Sequence, residues 1–253
     1  MKLKAKLADR NRCLSAEVCT IPSTVVAQAI ASAGSDIIVI DQEHGAVGRE
    51  ALHAMIAATA GSDCAPLVRI AEMGDAHVKV ALDMGAEGIL FPLVRTVQEA
   101  RNCVASLRYP PDGVRGWGPF IGHSRWQVPV MEYLQKHGQD IVCGLLIETA
   151  EAVANIDDIL AVEGIDFIFV AQFDLSTSLG LFGQFDHPEF QSAVKTIEAA
   201  ANKVNMPLGG GPVRSKEQAE ALFDRGYRII GGFDILRLKA SVETSVAWVK
   251  RGD

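Results

Sequence analysis

Short runs dense in Val, Ile, Leu and Phe recur along the chain, with stretches patterned for helices between them. The runs predict strands at Glu17–Thr20, Asp36–Asp41, Pro66–Ile70, Gly88–Phe91, Ile141–Ile147, Asp166–Val170, Pro207–Gly210 and Arg228–Gly231. Most lack a clean apolar/polar alternation, the pattern of strands covered on both faces. The intervening helices carry end signals. Pro22 is placed to open the first and Gly34 to close it. Asp75 is placed to cap a helix stopping at Gly85, and Gly226 to end one after Arg225. Thr96 with Glu99, and Ser215 with Gln218, have capping-box spacing, in which each side chain meets a free N–H at the helix start.

Eight strands alternating with helices predict a (β/α)8 barrel of the TIM type, expected as one domain over 1–253. No Gly-x-Gly-x-x-Gly fingerprint follows the first strand, which argues against a dinucleotide fold. One connection, about Arg108 to Gly138, is long and rich in Pro, Gly and aromatics. A loop of that length is expected to build a site or a subunit contact.

Composition narrows the function classes. The net charge of −7 argues against nucleic acid, which requires clustered Lys and Arg. No apolar stretch approaches the ~20 residues that span a bilayer, and Met1–Arg10 has no signal-like core. Five scattered cysteines without a Cys-x-x-Cys pair read as reduced thiols of a cytoplasmic protein.

A parallel barrel carries its chemistry at the C-terminal ends of its strands. There the chain places Asp41, Glu43 and His44 after strand two, Arg69 at the end of strand three, Glu148 after strand five and Asp174 after strand six. Glu148 and Asp174 each have a plainer reading as acids favourable to a helix start. Two carboxylates at neighbouring strand ends repel unless neutralised, and a hard cation such as Mg²⁺ or Mn²⁺ would do so while keeping open positions. Arg69 is either a structural ion pair, with Glu43 or Glu72, or a clamp on a carboxylate or enolate oxygen. His44 lies three residues after Asp41, close enough for a turn to orient the imidazole on the carboxylate; the alternative is a surface loop histidine. Gly209-Gly210-Gly211-Pro212 reads as a tight turn more readily than as a phosphate loop.

The segments DIIVIDQEHG, PLVRI, LDMGAEGILFPLVRTVQEA, RYPPDGVRG and IETAEAVANIDDILAVEGIDFIFVAQFDLSTSLG, in that order from about Leu14 to Gly232, resemble the HpcH/HpaI aldolase family. The resemblance implies a class II pyruvate aldolase that reversibly cleaves a 4-hydroxy-2-oxo acid to pyruvate, or a related 2-oxo acid such as hydroxypyruvate, and an aldehyde, through a metal-stabilised enolate. It implies Glu148 and Asp174 as ligands of Mg²⁺ or Mn²⁺, with Co²⁺ or Zn²⁺ as further options. It implies Arg69 as the pyruvate-binding arginine, and His44 with Asp41 as an acid–base pair acting through water. It also implies a homo-oligomer, a trimer of dimers. Two positions depart from the family pattern. Leu146 stands where the family often has a Gln that contacts pyruvate. Ala171-Gln172-Phe173-Asp174 replaces the usual Gly-Pro-Ala-Asp, so Leu146 and Phe173 are expected to reshape the substrate wall. The competing functions are an acyl-CoA lyase, a phosphonopyruvate-type enzyme and a non-catalytic barrel that binds a 2-oxo acid.

Overall fold

A computed structural model describes residues 2–250. Eight parallel strands close into a barrel: β1 (Leu14–Cys19), β2 (Ile37–Asp41), β3 (Ala65–Arg69), β4 (Gly88–Phe91), β5 (Val142–Ile147), β6 (Phe167–Ala171), β7 (Leu208–Gly211) and β8 (Tyr227–Phe233). Each pairs with the next, and β8 closes on β1 through Leu14↔Ile229 to Val18↔Phe233. All eight predicted strands are present. β1 begins earlier than its apolar run, because Leu14 and Ser15 pair with Ile229 and Ile230 of β8.

A short helix, α1 (Leu3–Ala8), precedes the barrel and has no counterpart in the strand and helix pattern read above. Leu3, Lys6 and Leu7 share its buried face, and the two leucines pack into the barrel interior as a floor. The ammonium of Lys6, almost fully buried, meets Asp36 Oδ1 at 2.9 Å and the Asp63 carbonyl at 2.6 Å. Arg12 reaches the same Asp36 oxygen at 2.8 Å. Burial raises the Asp36 carboxyl pKa, but Lys6, Ser15 and Arg12 outweigh it and hold the carboxyl below its usual range.

The helices outside the strands are α2 (Thr24–Ser32), α3 (Arg49–Ala58), α4 (Asp75–Asp83) and α5 (Val97–Leu107). Pro22 lies outside α2, which is capped instead by the Ser23 hydroxyl. Asp75 is the first helical residue of α4, with Gly74 at the cap. The Thr96/Glu99 box of α5 is complete. The long connection contains α6 (Gly122–Arg125), a 3₁₀ turn (Val130–Glu132) and α7 (Tyr133–His137). Its anchor is Arg115, fully buried, with its guanidinium 4.6 Å from the Tyr109 ring centroid and 2.8 Å from Asp83 Oδ1. Then follow α8 (Ala150–Ala154), α9 (Ile156–Leu160), α10 (Gln172–Ser178), α11 (Pro188–Val204), α12 (Lys216–Asp224) and α13 (Asp234–Val249). Ser215 caps α12 through Gln218 N–H, while the Gln218 side chain binds Arg214 N–H rather than Ser215 N–H, so this box is half formed. Asp234 staples the start of α13 to the end of β1, accepting from the N–H groups of Thr20 and Ile21 and from the Thr20 hydroxyl.

The strands divide their side chains between two cores. Ile38, Ile40, Val68, Ile70, Ile89 and Phe91 face the helices. Ala16, Ile37, Val39, Leu67, Leu146 and Phe167 fill the barrel. Gly144 and Gly209 make room for rings there: a Cβ on either would lie within 2.4 Å of Phe167 or Phe169. Two residues beyond the apolar interior, period two places charges on the same inward face: Val39 leads to Asp41, Leu67 to Arg69 and Leu146 to Glu148. No helix among the described residues is long and apolar enough to cross a membrane.

Removing Lys6 leaves Asp36 with less compensation and opens the floor. Lys6→Ala is expected to lower stability by about 2–3 kcal/mol in urea denaturation; an unchanged midpoint would contradict this account.

Candidate active site

Asp41 and Arg69 end adjacent strands and are direct register partners. Both are buried, and they meet in a two-pronged ion pair: Nε donates to Oδ1 at 2.9 Å and Nη2 to Oδ2 at 2.5 Å. Burial opposes the guanidinium charge, but Asp41 and Glu43 more than offset it and push the Arg69 pKa upward. Arg69 therefore stays charged. Asp41 Oδ1 also accepts the N–H groups of Glu43 and His44, which folds the following turn over the ion pair. Gly45 is required in that turn, because a Cβ there would lie 2.3 Å from the Asp41 carbonyl oxygen.

The expected pairing of the His44 ring with Asp41 is absent. Both carboxylate oxygens of Asp41 are taken up by Arg69 and the turn, and the imidazole points outward, 65% exposed, with Nε2 3.9 Å from Glu43 Oε2. Of the two suggested partners for Arg69, Glu43 approaches Nη1 at 3.3 Å, whereas Glu72 sits on His77. Glu43, noted among the charges after strand two and as a partner for Arg69, faces the same group of charges. Its Oε2 is buried without a hydrogen bond, and burial raises its pKa, as does the charge of Asp174.

Glu148 follows β5 and is 3% exposed. One donor reaches it, the N–H of Leu93, at 2.5 Å from Oε1. Leu93 holds φ +54°, a left-handed conformation that a leucine rarely adopts, in the turn after β4. No sequence signal marked this residue. Burial is the main cause that lifts the Glu148 pKa to about 7, with Asp174 and Glu43 adding repulsion and Leu93 and Arg69 opposing. Asp174 lies in the first turn of α10, three residues after β6, and is solvent-exposed rather than a cap; Ala171 holds the cap position.

Below and beside these groups a cavity, open at the mouth, runs into the barrel. Arg69, Leu146, Phe173 and Asp174 line it together with Phe169, Pro212 and Phe233. Gly211 of the glycine turn also lines it, and its carbonyl accepts the Gln172 side chain at 2.8 Å. Among the described residues no three His, Cys, Asp or Glu side chains converge as a ready-made metal cage. The chemistry of the donors still fits a hard cation. Glu148 is buried among Glu43 and Asp174 with a single backbone donor, and Mg²⁺ characteristically takes one or two carboxylates and completes its shell with water or substrate oxygens.

A closed parallel barrel with charged groups gathered at the C-terminal ends of its strands is the architecture of a barrel enzyme. The chain belongs to the HpcH/HpaI aldolase/citrate lyase family, whose model matches residues 21–238. A 4-hydroxy-2-oxo-heptane-1,7-dioate aldolase of Salmonella paratyphi C (strain RKS4594) is 36% identical over 196 residues, 75% of this chain and 74% of the relative. The crystal structure of an HpcH/HpaI aldolase from Desulfitobacterium hafniense DCB-2 superposes with a TM-score of 0.91 at 28% identity, covering 100% of this chain and 98% of that one. The citrate synthase SbnG superposes with a TM-score of 0.86 at 29% identity, covering 98% and 97%.

The Glu148 pKa fixes a pH dependence of the metal-free protein. Near pH 4 both folded and unfolded states hold the proton. Between about 4.5 and 7 only the folded state does, so stability falls as pH rises, by about 3 kcal/mol in all. Glu148→Gln is expected to remove that decline in denaturation curves taken from pH 5 to 8. An identical decline in the variant would assign it to other groups.

Proposed function

We propose that the protein is a divalent-cation-dependent aldolase that reversibly cleaves a 4-hydroxy-2-oxo acid to pyruvate, or a related 2-oxo acid such as hydroxypyruvate, and an aldehyde. The observation that carries this reading is a buried Glu148 with acidic neighbours, set beside an immobilised Arg69 at the mouth of an apolar barrel. Glu148 and Asp174 would hold the cation, Mg²⁺ or Mn²⁺ by their oxygen chemistry. When bound, it supplies Lewis-acid polarisation of the substrate oxygens.

The remaining steps belong to the chain. Arg69 spends two of its five N–H groups on Asp41, which leaves the others for the carboxylate or enolate oxygen of the 2-oxo acid. Asp41 positions it. Leu146 gives that acid an apolar wall. In cleavage the C4 hydroxyl loses its proton through water to His44, whose exposed ring exchanges freely with solvent. The C3–C4 bond then breaks, the aldehyde departs, and C3 of the enolate takes up a proton. A Schiff-base lysine is not needed.

A homo-oligomer, a trimer of dimers, completes the proposal. α13 leaves Ile235, Leu238, Val242 and Val246 exposed and buries only Asp234, so its apolar positions lack the cover expected of a barrel helix. Light scattering is expected to report an assembly larger than the monomer, and Leu238→Glu with Val242→Glu to reduce it; a monomeric wild type would reject the assembly.

Glu148→Ala is expected to lower aldol cleavage by at least about 10³-fold, and Arg69→Ala by about 10²–10³-fold, together with metal-dependent deuterium exchange into pyruvate followed by NMR. Full wild-type activity after thorough chelation, or normal exchange in Arg69→Ala, would refute these roles.

A further inference from the structure

We propose that the aldehyde is apolar, an aliphatic or aryl aldehyde, and that Phe173 selects it; this rests on the aldolase reading above. Phe173 immediately precedes Asp174 on the rim of the cavity and is 44% exposed. Phe185 holds its ring edge-on at 5.2 Å, and Phe185 in turn packs at 5.4 Å on Phe190, which is core. A fixed, exposed aromatic beside the reacting groups gains by being covered with apolar surface. Ala171, Pro212 and Phe233 continue that surface on the same cavity wall.

Among the described residues the cavity lining offers no free cation to a second anion. Its charged lining residues are Arg69 and Asp174. Arg69 is committed to Asp41 and Glu43 and to the 2-oxo acid, and Asp174 repels anions. The Gln172 amide is turned onto the Gly211 carbonyl. A 4-hydroxy-2-oxo-heptane-1,7-dioate carries a carboxylate at its far end; inside this cavity that group would be desolvated against Phe173 and Phe233, and among the described residues that line it no further cation meets it. Arg214, Arg237 and Lys239 line an adjoining groove that shares Pro212, Gly232 and Phe233 with the cavity but lies outside its apolar wall, and Arg237 is tied to both oxygens of Glu17.

The reaction balances without a further reactant. In the synthetic direction pyruvate loses a C3 proton, C3 bonds to the aldehyde carbon, and the resulting alkoxide gains a proton. The test compares kcat/KM for 4-methylpentanal and phenylacetaldehyde with that for 4-oxobutanoate, the aldehyde that a 1,7-dioate would release. Purified full-length protein is used with pyruvate and Mg²⁺, and deuterium exchange into pyruvate is recorded in parallel. The apolar aldehydes are expected to lead by at least about tenfold, and Phe173→Ala to shrink that ratio by about tenfold. Exchange accompanied by equal rates, or by a lead for 4-oxobutanoate, would overturn the inference and leave the aldolase reading standing. Loss of both exchange and turnover would overturn the aldolase reading and this inference with it. Should Phe173→Ala not fold, the wild-type ratio alone decides.

Discussion

The mouth of this barrel is organised by one ion pair. Asp41 and Arg69 face each other across the last register step of β2 and β3, both out of water. Either charge alone would be costly there, because a buried unpaired ion loses several kcal/mol of hydration. Paired in two-pronged geometry they fix three things together. The guanidinium plane is set, the two strand ends are tied, and the Glu43–His44 turn is folded down on the remaining lone pairs of Asp41. The pair is therefore better understood as a jig for the site than as a source of net stability.

The rest of the site is built against that positive point. Glu43 and Glu148 lie near Arg69, yet burial still raises the pKa of both. One guanidinium already claimed by Asp41 does not neutralise the acids around it. That residual negative charge, set in an apolar interior where electrostatic forces are poorly screened, is what the proposed cation would neutralise.

The charged strand ends were legible because they follow continuous apolar runs: IIVI leads to Asp41, PLV to Arg69 and GLLI to Glu148. In a parallel barrel such runs stop where the interior opens to solvent. The partner of Asp41 was not legible from local spacing. A separation of three residues suggested His44, whereas the register brought Arg69 opposite, a contact that belongs to neighbouring strands. α1 escaped notice because its i, i+3, i+4 face includes Lys6, a residue that reads as surface until Asp36 is seen beneath it. Leu93 carries no sequence mark at all, since its contribution comes from the conformation of its backbone.

That last point sets what the site can survive. The donor that steadies Glu148 is an amide of the main chain, so apart from proline no replacement of the Leu93 side chain deletes it. Residues at ease with a positive φ, such as glycine or asparagine, keep the contact, whereas a β-branched residue at 93 would strain it. A gained or lost residue there moves the amide off its mark at once. The turn is thus strict in length and, at position 93, strict in backbone conformation, while the side chain itself is free to change within that limit.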